Sequence, residues 1–119
     1  MNDMTTTVEQ LKAQVAKVIA EREWNQFHSP KNLSMAIAAE AAELMEKFLW
    51  LDSPASFDEL ATNRQEIEDE LADVLIAVIA FANAANIEVS SALKHKLAIT
   101  AAKYPIDKAK GKHTKYTKF

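Results

Sequence analysis

Hydrophobic and polar positions along this chain repeat with a helical rather than a strand period. In residues 7–23, Val8, Leu11, Val15, Val18 and Ile19 recur three and four apart. That spacing predicts an amphipathic helix, with a threonine run to cap it. Residues 24–32 (W-N-Q-F-H-S-P-K-N) break the pattern, because Pro30 and the two asparagines oppose continuation. A second helix is predicted over 33–51, capped by Asn32. Residues 52–57 (D-S-P-A-S-F) read as a loop, and a third helix begins between Asp58 and Arg64. The second half of that helix is almost wholly apolar: the fourteen residues after Asp73 carry no charge. A short break at 86–88 precedes a fourth helix over 89–103, which ends before Pro105. A helix apolar on every side belongs inside a bundle. The expected fold is therefore all-α, a four-helix bundle.

Composition narrows the function classes. A chain of 119 residues holds one domain, read as a helical domain over 1–105 with a tail over 106–119. At 49% hydrophobic and 26% charged residues it is a folding sequence and not a disordered one. One glycine and three prolines leave little turn chemistry for a many-stranded sheet. A net charge of −3 gives no general attraction to nucleic acid or anionic membrane, so neither is expected as a partner. The absence of cysteine excludes disulfides, thiol catalysis and cysteine-held metal, and fits a reducing, cytoplasmic compartment. Residues 1–7 lack a basic-then-apolar signal, and Asn83 and Asn86 interrupt the apolar run, so neither stretch reads as a targeting or membrane segment. The tail carries five lysines and one acid. It reads either as a solvated end or as a basic arm reaching toward phosphates or a neighbouring subunit.

The candidate chemistry is acidic. Glu40 and Glu43 stand three apart inside the apolar second helix, and Glu70 and Asp73 stand three apart where the third enters its apolar run. Each pair shares one helix face, and a short connection makes the two helices antiparallel neighbours. Four converging carboxylates repel one another and shift their pKa values upward. Lys47 is one cation against four anions, although a Glu43–Lys47 ion pair is the simple structural alternative. A hard divalent cation resolves the conflict, and Mg²⁺ takes carboxylates, waters and substrate phosphates. Glu46 and Asp69 are candidates to support the four acids. A di-iron bundle needs Glu-x-x-His pairs, and the residues three before His28, His95 and His113 are Asn25, Ala92 and Lys110, which excludes it. Trp24 and Trp50 flank the second helix and offer two indoles for a flat ring. His28 and Lys31 add a donor and a charge, and Lys96, Lys103 and Tyr104 offer groups for phosphates.

The E-A-A-E-L of the second helix, the D-E-L-A-D-V of the third, the preceding W-x-x-F-H-x-P-x-N loop and the later K-Y-P resemble the all-α nucleoside triphosphate pyrophosphatases of MazG-like and dCTP pyrophosphatase type. The match covers roughly residues 21–105. The resemblance implies that Glu40, Glu43, Glu70 and Asp73 bind Mg²⁺; one carboxylate would accept the proton of the attacking water, with Glu43 the candidate, and the sequence does not separate a base from a ligand among the four. It implies that Trp24 and Trp50 clasp the base, His28 contacts base or sugar, and Lys96 and Tyr104 meet the phosphates; Lys31 stands where a basic residue is common. Implied too are hydrolysis of a (d)NTP, such as dCTP or a modified dCTP, to monophosphate and pyrophosphate, and assembly as a homodimer or homotetramer. Three positions depart from the animal dCTP enzymes: Val15 where a histidine occurs, Ala77 where a tyrosine occurs and Thr100 where an asparagine is usual. The pocket near base and sugar is altered accordingly. An excess of apolar helix face independently predicts oligomers. The rival function is a non-catalytic helical oligomerisation or nucleotide-binding regulatory module, which would show no metal-dependent turnover.

Overall fold

The computed structural model describes residues 1–119, and all its regular elements are helical. They are α1 (Val8–Glu21), α2 (Pro30–Glu46), α3 (Ser53–Thr62), α4 (Arg64–Ala85), α5 (Val89–Lys103) and the single turn α6 (Ile106–Ala109). Short 3-10 turns lie at Trp24–Phe27 and Tyr116–Lys118. Two compact units divide the chain, Met1–Asn86 and Ile87–Phe119. No single helix is long and apolar enough to cross a membrane.

The start of α1 and the bounds of α5 fall where the hydrophobic pattern puts them. Thr7 Oγ1 accepts from Gln10 N at 3.1 Å, and Gln10 Oε1 accepts from Thr7 N at 2.8 Å, a reciprocal capping box. Two helix starts differ, both at a proline. The second helix is capped by Ser29, not Asn32: Ser29 Oγ accepts from Asn32 N at 3.1 Å, and Pro30 occupies the first turn. Asn32 instead donates its side-chain amide to Phe27 O at 3.0 Å. Residues 52–57 are likewise no loop. Asp52 Oδ1 accepts from Ala55 N at 2.8 Å, with Pro54 in the first turn of α3. Proline is at home there because the first N–H groups of a helix have no partner in any case. The expected third helix is thus two, α3 and α4, separated at Asn63, and α2 stops at Glu46 instead of reaching Leu51.

In the first unit, Ile19 of α1, Leu33 of α2 and Ala80 of α4 form the buried core, with Val15 and Phe81 against it. Ile67, Ala77, Ile79 and Ala82 are also buried along α4. Asn83, a polar interruption in the apolar run, donates Nδ2 to Lys12 O at 3.0 Å and so ties α4 to α1. The helix ends at Asn86 in the left-handed region (φ 54), a conformation asparagine tolerates well.

Candidate metal centre and adjoining cavity

The register of α2 on α4 follows from side-chain contacts. Leu33 shares the core with Ala80, Glu43 meets Glu70, and Lys47 Nζ lies 3.3 Å from Glu66 Oε2. In each pair the two residue numbers sum to the same value, so the helices run antiparallel as expected, and Glu40 comes opposite Asp73. Leu33, Glu40, Glu43 and Lys47 are spaced seven, three and four apart, and so are their partners in reverse. This is the seam of a coiled coil, in which such positions are ordinarily apolar. Here the seam begins with Leu33 and Ala80, carries four carboxylates at its middle, and closes on an exposed ion pair. Lys47 therefore pairs with Glu66 and not with Glu43.

One carboxylate oxygen from each of Glu40, Glu43, Glu70 and Asp73 lies within 4.8 Å of the others. Glu43 and Asp73 are exposed, whereas Glu40 and Glu70 are half-buried. Both half-buried acids have an Oε2 sealed from water with no hydrogen-bond partner. A carboxylate oxygen removed from water with nothing donating to it is costly. A divalent cation bound by oxygen ligands supplies what is missing, so the residues present fit one.

The electrostatics agree. Glu43 is held above its usual 4.5, first by hydrogen-bond contact with Glu40 and that neighbour's like charge, then by loss of water. Glu70 is held above 4.5, first by its removal from water and then by the charge of Glu43. In metal-free protein the folded state therefore holds protons that the unfolded state has already released. Its stability should fall as pH rises from about 4.5 through the raised pKa values, the reverse of an ion-paired carboxylate. Thermal melts in chelator across this range should show that decline, and saturating Mg²⁺ should abolish it. A metal-free stability that climbs over the same range would contradict the assignment.

Beside the acids, a cavity of about 500 Å³ opens between α1, α2 and α4. Its walls are apolar apart from Gln14, Trp24, His28, Glu40 and Asp73, so it shares two members with the carboxylate cluster. The size and the few convergent polar groups are those of a small-molecule pocket. Val15 and Ala77 both line it. Trp24 is half-exposed, with the Arg22 guanidinium 5.9 Å from its ring. Trp50 is 91% exposed and lies outside the cavity wall. Lys31 is exposed in the first turn of α2, and Glu46 is exposed near that helix's end. Asp69 accepts from Gln65 Nε2 at 2.9 Å. Lys96 and Tyr104 belong to the second unit, the lysine exposed on α5 and the tyrosine half-buried at its C-cap. Gln14 was not singled out from the sequence, although Leu11, Gln14, Val15 and Val18 form one helical stripe and a polar member of such a stripe is a signal.

An antiparallel helical seam with a carboxylate quartet against an apolar cavity defines a class, the all-α domains built to hold a divalent ion beside a small ligand. Comparison with known proteins makes this specific. The profile of the MazG-like family matches residues 35–119. Over 113 residues the chain is 33% identical to dCTP pyrophosphatase 1 of Bos taurus and 34% identical to dCTP pyrophosphatase 1 of Homo sapiens, covering 93% of this chain. It spans about two thirds of the length of these curated relatives, 67% and 66% respectively. The crystal structure of a pyrophosphatase from Archaeoglobus fulgidus matches with a TM-score of 0.80 and 34% identity, over 88% of this chain and 98% of that one. The chain belongs to the MazG-like family, and its all-α architecture is of that type.

Proposed function

We propose that this chain, a nucleoside triphosphate pyrophosphohydrolase, hydrolyses a deoxynucleoside triphosphate between the α and β phosphates, with Mg²⁺ at Glu40, Glu43, Glu70 and Asp73. The observation that carries the proposal is the pair of sealed, unpartnered oxygens of Glu40 and Glu70, in a carboxylate cluster whose Glu40 and Asp73 line an apolar cavity. The names of the mammalian relatives support dCTP or a modified dCTP as the substrate. The catalytic domain in this reading covers 1–105, and its setting is the cytoplasmic nucleotide pool.

Bound Mg²⁺ would supply positive charge against the triphosphate and against the charge that develops at the α phosphorus. The remaining work falls to side chains. Glu40 and Glu70 present their unpartnered oxygens inward. Glu43, one of the two exposed members of the quartet, accepts the proton of the attacking water. Water oxygen bonds to the α phosphorus, the bond to the bridging oxygen breaks, and pyrophosphate leaves with the electron pair. Trp24 stacks on the base, a contact worth about 1–3 kcal/mol, with Trp50 as its partner and His28 at base or sugar. Gln14 offers one amide donor and one acceptor to the base edge. Lys31 serves the phosphates, a role that the family resemblance also gives to Lys96 and Tyr104.

The test is pyrophosphate release from each common dNTP with and without Mg²⁺. Turnover that requires the ion and favours one base is expected; no turnover on any of them refutes the proposal. Gln14→Leu is expected to raise KM for the favoured base about tenfold, the loss of roughly one buried hydrogen bond, while leaving kcat within about twofold. An unchanged ranking of bases would remove Gln14 from recognition. A homodimer or homotetramer is part of the same proposal. Leu71, Leu75 and Val78 form an exposed apolar stripe on α4, four and three residues apart, which a second copy would cover.

A further inference from the structure

Trp24 stands on a corner of the first unit that is held at both ends. Helix α1 stops at Glu21, and the chain turns at Glu23, whose backbone lies in the left-handed region (φ 55, ψ 34). Among non-glycine residues only Asn86 shares a positive φ, and asparagine tolerates it far better than glutamate does. The Glu23 backbone is satisfied all the same: its N–H donates to Ala20 O at 3.0 Å, and its carbonyl accepts from Gln26 Nε2 at 2.9 Å. The 3-10 turn Trp24–Phe27 follows directly, and Asn32 of α2 holds its far end through Phe27 O. A residue kept in a sparsely populated backbone region stores strain, and such residues gather at functional sites.

A guanidinium backs the indole. Arg22 lies over the Trp24 ring with its Cζ 5.9 Å from the centroid, within the range of a cation–π contact. Its Nη1 donates to Val18 O at 3.0 Å and lies 3.9 Å from Glu21 Oε2, so the group is anchored from α1. Trp24 lines the cavity beside the carboxylates, and Arg22 does not. The guanidinium thus covers the ring from outside the cavity. With 47% of its surface exposed, an indole just past a helix end would otherwise turn among its rotamers. A ligand that stacks on a mobile ring must first order it, which weakens binding.

We propose that Arg22 and Glu23 are positioning residues for base stacking: the left-handed turn at Glu23 aims Trp24 at the cavity, and the Arg22 guanidinium covers one face of the indole so that the ring offers the other to the base. The proposal rests on the nucleotide reading of the cavity given above. Both residues act through Trp24 and neither touches the substrate. Their effect falls on binding and not on the chemical step, because the stacked ring is the same in the ground and transition states.

The test compares wild type with Arg22→Met, Arg22→Lys, Glu23→Val and Glu23→Asn, in kinetics with Mg²⁺ and the favoured dNTP, and in acrylamide quenching without nucleotide. Quenching is read in a Trp50→Phe background, which leaves Trp24 as the sole indole. Arg22→Met keeps an unbranched side chain and loses the charge. It should raise KM about three- to tenfold, the effect of leaving one side chain to be ordered on binding, with kcat within about twofold. It should also make Trp24 clearly more accessible to acrylamide. Arg22→Lys, which keeps a cation near the ring, should stay close to wild type in both readouts. Glu23→Val, β-branched and averse to positive φ, should raise KM as Arg22→Met does, whereas Glu23→Asn, which accepts positive φ and equally lacks the charge, should match wild type. Should Glu23→Val fail to fold, the two Arg22 variants decide. An unchanged KM in Arg22→Met would overturn the proposal, as would a fall in kcat in place of the rise in KM. If wild type hydrolyses no nucleotide, the pyrophosphohydrolase reading fails and quenching alone decides: equal acrylamide access in wild type and Arg22→Met would then overturn the positioning role as well.

Discussion

Glu70→Gln is expected to lower pyrophosphate release about 100- to 1,000-fold, the size of effect seen when one electrostatic stabiliser of a transition state is removed, while leaving the metal-free protein at least as stable as wild type. The two halves of this outcome come from one fact. Glu70 occupies a seam position between α2 and α4 where a coiled coil would place an apolar side chain, and its Oε2 is sealed without a partner. In the metal-free state that carboxylate is opposed by burial and by the charge of Glu43. A neutral amide relieves both. A helix-surface acid held by a structural ion pair would behave in the opposite way, losing stability and sparing turnover. Thermal melts in chelator, beside kinetics with Mg²⁺, separate the two.

Much of this site was legible before any coordinates. Two acid pairs spaced by three, each set in an apolar run, pointed to Glu40, Glu43, Glu70 and Asp73, and one oxygen of each does lie within 4.8 Å of the others, although the connection between their helices carries α3 and is not the short loop expected. Two of the misread boundaries share a physical origin. Pro30 and Pro54 look like breakers, and both lie in the first turn of a helix, where a missing N–H goes unnoticed and a residue just before, Ser29 or Asp52, supplies the cap. That error hid α3 and moved the start of α2 by three residues. The cavity was harder to see for a different reason. It is assembled from three helices, so a residue such as Gln14 gains its significance from neighbours that are distant in sequence. Local periodicity also says nothing of the edge-on contacts that Tyr116 and Phe119 make with Tyr104.

Leu33→Ala is the largest expected effect on stability. Leu33 is 4% exposed and shares its cluster with only Ile19 and Ala80 as buried members. Truncating a buried leucine costs about 2–5 kcal/mol, part of it from the cavity left behind. A domain of this size has about 5–15 kcal/mol in total, so the change removes a large share. The damage should also reach the site, since Leu33 and Glu40 lie seven residues apart on the same stripe of α2. Urea unfolding should show a clearly lower midpoint with an unchanged slope. A loss below about 1 kcal/mol would mean that the α1–α2–α4 core is not where the stability of this unit resides.

Calorimetric titration of Mg²⁺ into the chelator-treated chain addresses the metal centre most directly. Saturable binding is expected, with protons released on binding because Glu43 and Glu70 hold theirs above the usual carboxylate range, and with binding lost in the Glu43→Gln, Glu70→Gln double variant. No heat of binding and no gain in melting temperature, with or without nucleotide, would contradict the assignment of these four acids as magnesium ligands.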